Sequence, residues 1–197
     1  MTRLSEDQIT ALFREPRTMR KFTDRPVTDD QLREIQELTY LGPTAFNSQP
    51  LRITWIKSPE ARERLVKHLI EANQEKARQA PVNAILSYDK AWVDRADVFN
   101  PRAAETIRSY CTTEEVVTFA AQQSANLQAG YFITAVRALG LDAGPITGAD
   151  FEAIAADAVL LGGQDQQPFL VVNIGYGLGP FRERGVRFSF EQTTRTV

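Results

Sequence analysis

Hydrophobic and polar positions follow three rhythms along this chain, and each rhythm predicts an element. A helical period runs through Leu32, Ile35 and Leu38. It follows Thr28-Asp29-Asp30-Gln31, where a hydroxyl and an amide three residues apart can satisfy each other's backbone N–H groups as a capping box. Gly42-Pro43 ends that helix. Ser5 and Gln8 repeat the signature and open a short helix reaching Phe13. Ser58-Pro59-Glu60 is an N-cap followed by proline at the first helical position, and predicts a helix to about Ala72. Asp150 caps an alanine-rich helix to Leu160. A period of two appears at Leu51–Lys57, a β-rich strand. Short unbroken apolar runs at Val82–Tyr88 and Phe169–Ile174 fit strands buried on both faces. From Asp89 to Cys111 no rhythm holds, which predicts an excursion or lid over residues 89–112.

The longest weakly charged stretch is Val116–Leu141. Gln122, Gln123, Asn126, Gln128 and Arg137 interrupt it, so it lacks the run of about 18 apolar residues that a membrane span requires. Thr112 and Glu115 have capping-box spacing, and Gly140 is placed to stop the helix. A helix apolar or small nearly all round is buried on most of its circumference. This one is expected at the centre of the fold, either in the core of a monomer or covered on one side by a second subunit. The pattern as a whole predicts one α+β domain over residues 1–197, with helices on a mainly antiparallel or mixed sheet. A glycine-rich, charged tail over 180–197 closes it.

Composition narrows the class. The 197 residues carry 23 Lys+Arg against 25 Asp+Glu, with 43% hydrophobic and 24% charged content, which fits a globule and excludes disorder. The near-zero balance removes the electrostatic footprint of a nucleic-acid binder. One cysteine, Cys111, cannot form an intrachain disulfide. With an N-terminus that turns acidic at once, this points to a cytoplasmic setting.

Common chemical signatures are missing. One histidine, His68, and one cysteine cannot build a usual zinc site. His68 falls within the expected helix after Ser58 and is expected to be a packing or surface residue. There is no nucleophile elbow and no Walker A sequence. Gly175-Tyr176-Gly177-Leu178-Gly179 follows a strand, but has the wrong spacing for a dinucleotide fingerprint and no helix after it. So little acid–base equipment implies that a cofactor carries the hard chemistry.

Four segments carry candidate chemistry. Arg17-Thr18-Met19-Arg20-Lys21 offers guanidinium forks and a hydroxyl suited to a phosphate and a polyol, although a charge run also fits a solvated face. Gly42–Pro50 is a loop of small residues between prolines, which permits close approach to a flat ring, with Asn47 and Gln49 for its polar edge. Asn73-Gln74-Glu75-Lys76 fits the polar end of a helix. Leu141–Gly148 fits a loop leaving the central helix, rich in backbone amides.

In this order and spacing, "PTAFNSQP", "RALGLDAGPITG" and "VVNIGYG" resemble the nitroreductase family of flavin mononucleotide (FMN) oxidoreductases, over about Ser5 to Gln192. Within it, "GPTAFNSQP", "APV" and "ALGLDAGPITG" are most similar to the malonic semialdehyde reductase branch of the Rut pyrimidine-degradation pathway. The resemblance implies an α+β homodimer with flavin sites between subunits. It also implies NADH or NADPH as hydride donor to flavin N5, and ping-pong transfer to an acceptor. No side-chain acid or base is assigned a catalytic role.

Residue by residue, the resemblance implies that Arg17, Thr18 and Arg20 hold the flavin phosphate and ribityl chain. Pro16 stands where many members have a cation. Pro43, Thr44 and Ala45 match the loop packed on the isoalloxazine, and Asn47 its polar edge. Asn73 and Lys76 match a pair at the pyrimidine side. Pro145, Ile146, Thr147 and Gly148 match the loop whose backbone amides approach N5 and O4, with Thr147 where many members have Glu. Arg184 and Arg187 match cations closing over the phosphate. No metal is expected. The implied acceptor is a small aldehyde such as malonic semialdehyde, whose carboxylate Arg95, Arg102 or Arg108 of the lid could meet. The alternatives are a broad nitroaromatic or quinone reductase and a non-catalytic flavin-binding protein.

Overall fold

The computed structural model describes residues 2–162, 165–179 and 183–197, so residues 180–182 of the expected tail lie outside it. Helix α1 (Glu6–Ile9) passes directly into a π turn over Thr10–Arg14. There follow α2 (Asp29–Tyr40), β1 (Leu51–Ile56), α3 (Pro59–Val66), α4 (Glu71–Arg78) and β2 (Val82–Asp89). The expected lid is a run of short helices that includes α5 (Ala96–Phe99) and α6 (Ala104–Tyr110). Then come α7 (Glu114–Ala138), β3 (Asp142–Ile146), α8 (Phe151–Ala156), α9 (Ala158–Leu161), β4 (Gln166–Gly175) and α10 (Phe190–Thr193).

The four strands form one sheet in the order β1-β2-β4-β3, antiparallel throughout. Side chains alternate between its faces. Ala84, Leu86, Val172 and Ile174 join one core with Leu32 and Ile35 of α2 and Phe132 and Val136 of α7. Ile85 and Val171 point into a second core with Leu65, Val66, Ile146, Ile154 and Leu160. The molecule is therefore three layers, with β2 buried along its whole length. Pro168 is tolerated in the inner strand β4 because the ladder is irregular there: Leu86 faces Leu170 while Ser87 faces Pro168, leaving Phe169 as an extra residue. Phe132 is fully buried with its ring 5.7 Å from that of Trp55, which fixes α7 against β1. A fully buried large apolar side chain contributes about 2–3 kcal/mol.

Several expected boundaries move. The capping boxes at Ser5 and Thr28 form, but α7 is capped by Thr113, whose Oγ1 accepts the Val116 N–H, and not by Thr112. The helix expected to run from Ser58 to about Ala72 breaks after Val66 and resumes at Glu71. Between the two pieces Leu69 forms an isolated bridge with Ala149. His68 therefore sits in a linker, and Asn73 and Lys76 lie inside α4 rather than at a helix end. The helix expected from Asp150 to Leu160 is split at Asp157, which caps α9 by accepting the Val159 and Leu160 N–H groups. The segment expected as a loop after α7 is strand β3. Contrary to an all-round buried helix, α7 leaves one long face open, carrying Phe119, Leu127 and Tyr131. No helix among the described residues is long and apolar enough to cross a membrane.

Candidate functional site

Strand β3 is the rail along which three of the four candidate segments meet. At one end the Met19 N–H donates to the Ala143 carbonyl at 2.9 Å. Gly144 permits this approach, because a Cβ there would sit 2.3 Å from the Met19 carbonyl oxygen. The Arg17–Lys21 segment is held against β3 in this way and continues into a bridge between Phe22 and Gly177. Thr18 and Arg20 lie exposed beside the rail, and Arg17 is half-buried.

Arginines converge on that end. Arg17 donates through Nη1 to the carbonyls of Arg14, Glu15 and Pro16 at 2.8, 2.6 and 3.1 Å. From the tail, Arg184 donates to the carbonyls of Phe13, Arg14 and Pro16 at 3.1, 2.5 and 3.2 Å. Loss of hydration and the charges of Arg17 and Arg187 push the Arg184 pKa down. Arg137, at the end of α7, is likewise pushed down, by burial and then by Arg184. Arg137 was not among the sequence candidates. It lines a cavity of about 300 Å³ together with Glu15, Pro16, Arg17 and Asp142. The Asp142 carboxylate offsets part of this mutual repulsion at Arg137. The Arg187 guanidinium instead turns onto its own loop, at the Gly185 and Val186 carbonyls.

At the other end of the rail stands a compact polar group. Asn73 Nδ2 donates to the Gly148 carbonyl at 3.1 Å, and Lys76 Nζ donates to Asn73 Oδ1 at 3.0 Å. The Ile70 N–H also donates to the Gly148 carbonyl. At Gly148 a Cβ would meet Ile70 Cδ1 at 2.5 Å and Asn73 Nδ2 at 2.7 Å, so any side chain there displaces those two. Pro145 and Ile146 lie in strand β3 rather than in a loop, opposite Val172 and Val171. Pro145 has no N–H to offer, and the Ile146 side chain is buried in the second core. Thr147, exposed, and Gly148, past the strand's end, remain the amide-bearing candidates of that segment.

The fourth segment lies elsewhere. Among the described residues, Phe46, Asn47 and Gln49 are the non-glycine residues with positive φ, at 57°, 62° and 45°. Such conformations cost roughly 1 kcal/mol or more each and persist where surroundings enforce them, commonly at binding sites. Here the Ala45 N–H donates to Ser124 Oγ of α7 at 3.3 Å, and the Gln49 N–H to Thr44 Oγ1 at 3.2 Å. Pro43 is exposed beside them. The Asn47 amide donates to the Phe99 carbonyl at 3.1 Å, which ties the loop to the lid. The loop's partners are thus α7 and the lid, not the β3 rail.

His68 is no ligand in the described structure. Its Nε2 lies 3.4 Å from Asp157 Oδ2, which also takes the Arg64 guanidinium at 2.5 Å. No group of side chains able to hold a metal ion is present among the described residues. Of the lid arginines, Arg95 pairs with Asp89 and Arg108 with Asp97, while Arg102 is exposed.

The profile of the nitroreductase family matches residues 14–176, which include the rail, the strained loop and the Asn73–Lys76 pair. The chain belongs to the nitroreductase family. A relative from Streptomyces coelicolor, named for NADH dehydrogenase and NAD(P)H nitroreductase activity, is 45% identical over 187 residues, 94% of each chain. A relative of the same name from Streptomyces griseus is 42% identical over 94% of each chain. Among solved structures, a nitroreductase-family fold from Exiguobacterium sibiricum crystallised with FMN superposes with a TM-score of 0.83, at 19% identity over 99% of both chains. One from Bacillus subtilis gives 0.85, at 22% identity over 98% of this chain and all of the other. This agreement establishes the α+β nitroreductase fold that the sequence motifs implied.

Proposed function

We propose that this nitroreductase-family protein is an FMN-dependent NAD(P)H oxidoreductase that acts as a homodimer on small acceptors. The observation that carries the reading is the pair of residue sets at the two ends of β3. Arg17 and Arg184, with Arg137 beside them, form a cationic end fit for a phosphate monoester. Thr18 and Arg20 follow on the exposed edge for a polyol. About one strand length away, Asn73, Lys76 and the Gly148 backbone offer amide and cation to a heterocycle's polar edge. The order of charge, polyol and ring edge along the rail is the order of those groups in FMN. The names of the Streptomyces relatives and the FMN bound by the Exiguobacterium protein support the same cofactor and donor.

When bound, FMN would supply a two-electron carrier between NAD(P)H and the acceptor. The protein's part is to bind and orient it. Lys76 would lower the energy of negative charge at the pyrimidine edge. The Asn73 side chain fixes Lys76 through Oδ1 and the 147–148 backbone through Nδ2. The strained Thr44–Gln49 loop, held to α7 rather than to the rail, would serve the flavin of a second copy. This supports a site shared between subunits.

For the acceptor, a small aldehyde such as malonic semialdehyde would want a cation for its carboxylate. Arg95 and Arg108 are engaged by Asp89 and Asp97. Arg102 is exposed and would be the lid cation left to meet such a carboxylate; a nitroaromatic or quinone needs no cation and fits the site equally. With a quinone the balance is NADH, a proton and quinone giving NAD⁺ and hydroquinone. The same fold would work in the cytoplasm and contact neither membrane nor nucleic acid.

The purified protein is expected to show flavin bands in the visible that bleach when NADH is added without oxygen. It should also bind FMN at least about tenfold tighter than riboflavin, since a charge-assisted phosphate contact contributes about 1.5–3 kcal/mol. A colourless protein that fails to take up FMN overturns the proposal. Bound flavin that NADH does not bleach would identify a non-catalytic flavin binder instead.

A further inference from the structure

The lid and the strained loop are one piece. The Asn47 side chain donates to the Phe99 carbonyl, and the Asn100 side chain donates to the Phe46 carbonyl, both at 3.1 Å. These two bonds are reciprocal: each segment gives one amide and receives the other, across more than 50 residues of sequence. Phe99 packs on the buried Trp92 with ring centroids 6.0 Å apart. Trp92 donates through Nε1 to the Val117 carbonyl of α7 at 3.0 Å. Ala45 is fixed to Ser124 of the same helix. The loop is thus braced on α7 twice, once directly and once through the lid.

The bracing has a product. It holds Phe46 in the left-handed region at φ 57°, a conformation a bulky side chain avoids when free. In that conformation the Phe46 ring stands 39% exposed with its centroid 6.2 Å from that of Tyr110, which is 63% exposed. Two tilted aromatic rings open to solvent do not bury apolar area for the fold. They offer an exposed apolar wall of two angled rings, one from α6 and one from the loop whose Pro43, Thr44, Ala45 and Asn47 are the flavin-facing candidates.

We infer that the Phe46–Tyr110 pair is an acceptor-binding wall selective for flat aromatic or quinonoid molecules, and that Asn100 is the positioning residue that sets it. This rests on the flavin-oxidoreductase reading above. Asn100 touches no reacting group. It acts by fixing the Phe46 carbonyl, and with it the direction of the Phe46 ring. Removing the amide donor lets Phe46 relax toward negative φ and takes its ring out of the wall.

The test is steady-state kinetics of the FMN-loaded protein with NADH and two acceptors. One is a naphthoquinone, which must stack. The other is ferricyanide, which takes electrons without stacking. Asn100→Asp keeps the size of the side chain but loses the N–H donor. It is expected to raise the KM for the quinone about tenfold, the size of one lost aromatic contact, while the ferricyanide rate changes less than about twofold. Phe46→Leu, which keeps an apolar side chain, is expected to do the same, and Asn100→Gln to recover part of the loss. An unchanged quinone KM in both variants overturns the inference. So do equal losses with both acceptors, which would mark the bonds as merely structural. Wild-type protein that holds no FMN would instead overturn the parent reading, and this one with it.

Discussion

At Gly148 the absence of a side chain fixes the position of two others. Its carbonyl receives the Asn73 amide and the Ile70 N–H, and the space where a Cβ would stand is filled by Ile70 and Asn73 themselves. Gly148→Ala must push the Asn73 amide away and with it the Lys76 ammonium that Asn73 holds. Ile70 and Asn73 are flexible side chains, so the fold should survive. Flavin affinity is expected to fall about tenfold, with loss of stability under about 2 kcal/mol, as typical for modest overpacking. Fluorescence titration with FMN and a thermal melt check both. Full flavin affinity in the variant would remove the Asn73–Lys76 pair from the site. This residue was legible in the sequence only as part of a motif; the reason it is glycine lies 75 residues away, in α4. The same holds for Gly144 against Met19. The Thr44–Asn47 loop was legible because a bare turn needs no such run of small residues and amides, whereas the Arg17–Arg20 run also fits a solvated face and drew its role from the family resemblance. Arg137 and Asn100 were not legible. Each is an ordinary polar residue whose surroundings come from distant segments.

Between elements, the errors of sequence reading have a common cause. The α3–α4 break contains no glycine or proline; it exists because Leu69 pairs with Ala149 and the Asp150 N–H donates to the His68 carbonyl. Strand β3 contains both glycine and proline, a sequence that argues against a strand. It forms because it is the sheet edge, where a missing N–H is tolerated, and because β4 offers the partner. Local pattern gave way to tertiary pairing in both places. Asp157 joins these pieces. Through Oδ1 it caps α9, and through Oδ2 it takes Arg64 and His68 from the α3 side. Burial alone would raise its pKa, but Arg64, the Leu160 and Val159 N–H groups and His68 together hold it below the usual carboxylate value. A carboxylate with a depressed folded-state pKa stabilises the fold above its unfolded value, near pH 4, and that stability fades as pH falls through the lower folded value. Asp157→Ala is therefore expected to lose about 1–2 kcal/mol at pH 7, from the cap and the pairing. Its urea midpoint should draw closer to that of the wild type as pH falls below the unfolded carboxylate value near 4. A gap between the two that stays constant from pH 7 to pH 3 would show that the charge of Asp157 does not matter.

At the scale of the whole molecule, the candidate residues of one chain fall into two sets that no described hydrogen bond joins. In the proposed reading the β3 rail would carry the phosphate and pyrimidine ends, while the strained loop and the lid are braced on α7. The sequence could show that α7 lacked a polar face, but not which side a second copy would cover. Phe119, Leu127 and Tyr131 stand 62%, 53% and 45% exposed on one face, among Gln122, Gln123, Asn126 and Gly130, and in the proposed homodimer this is the face a second copy would cover. A stripe of exposed large apolar residues set among uncharged amides and a glycine along a long helix suits a self-associating surface. In a symmetric dimer the same stripe meets itself, so a charge placed at its centre is buried twice. Desolvating an unpaired charge costs several kcal/mol, a large part of what holds a standard interface of about 1,600 Å². In the monomer Leu127 is half-exposed, so Leu127→Glu leaves the core intact. The variant is expected to keep its circular dichroism and to sediment as a monomer where the wild type sediments as a dimer. Because the loop and the rail would then belong to no common site, FMN should dissociate with it, and added FMN should restore neither colour nor NADH turnover. A monomeric variant that retains flavin at wild-type affinity would place the whole site in one chain and end the case for a shared one.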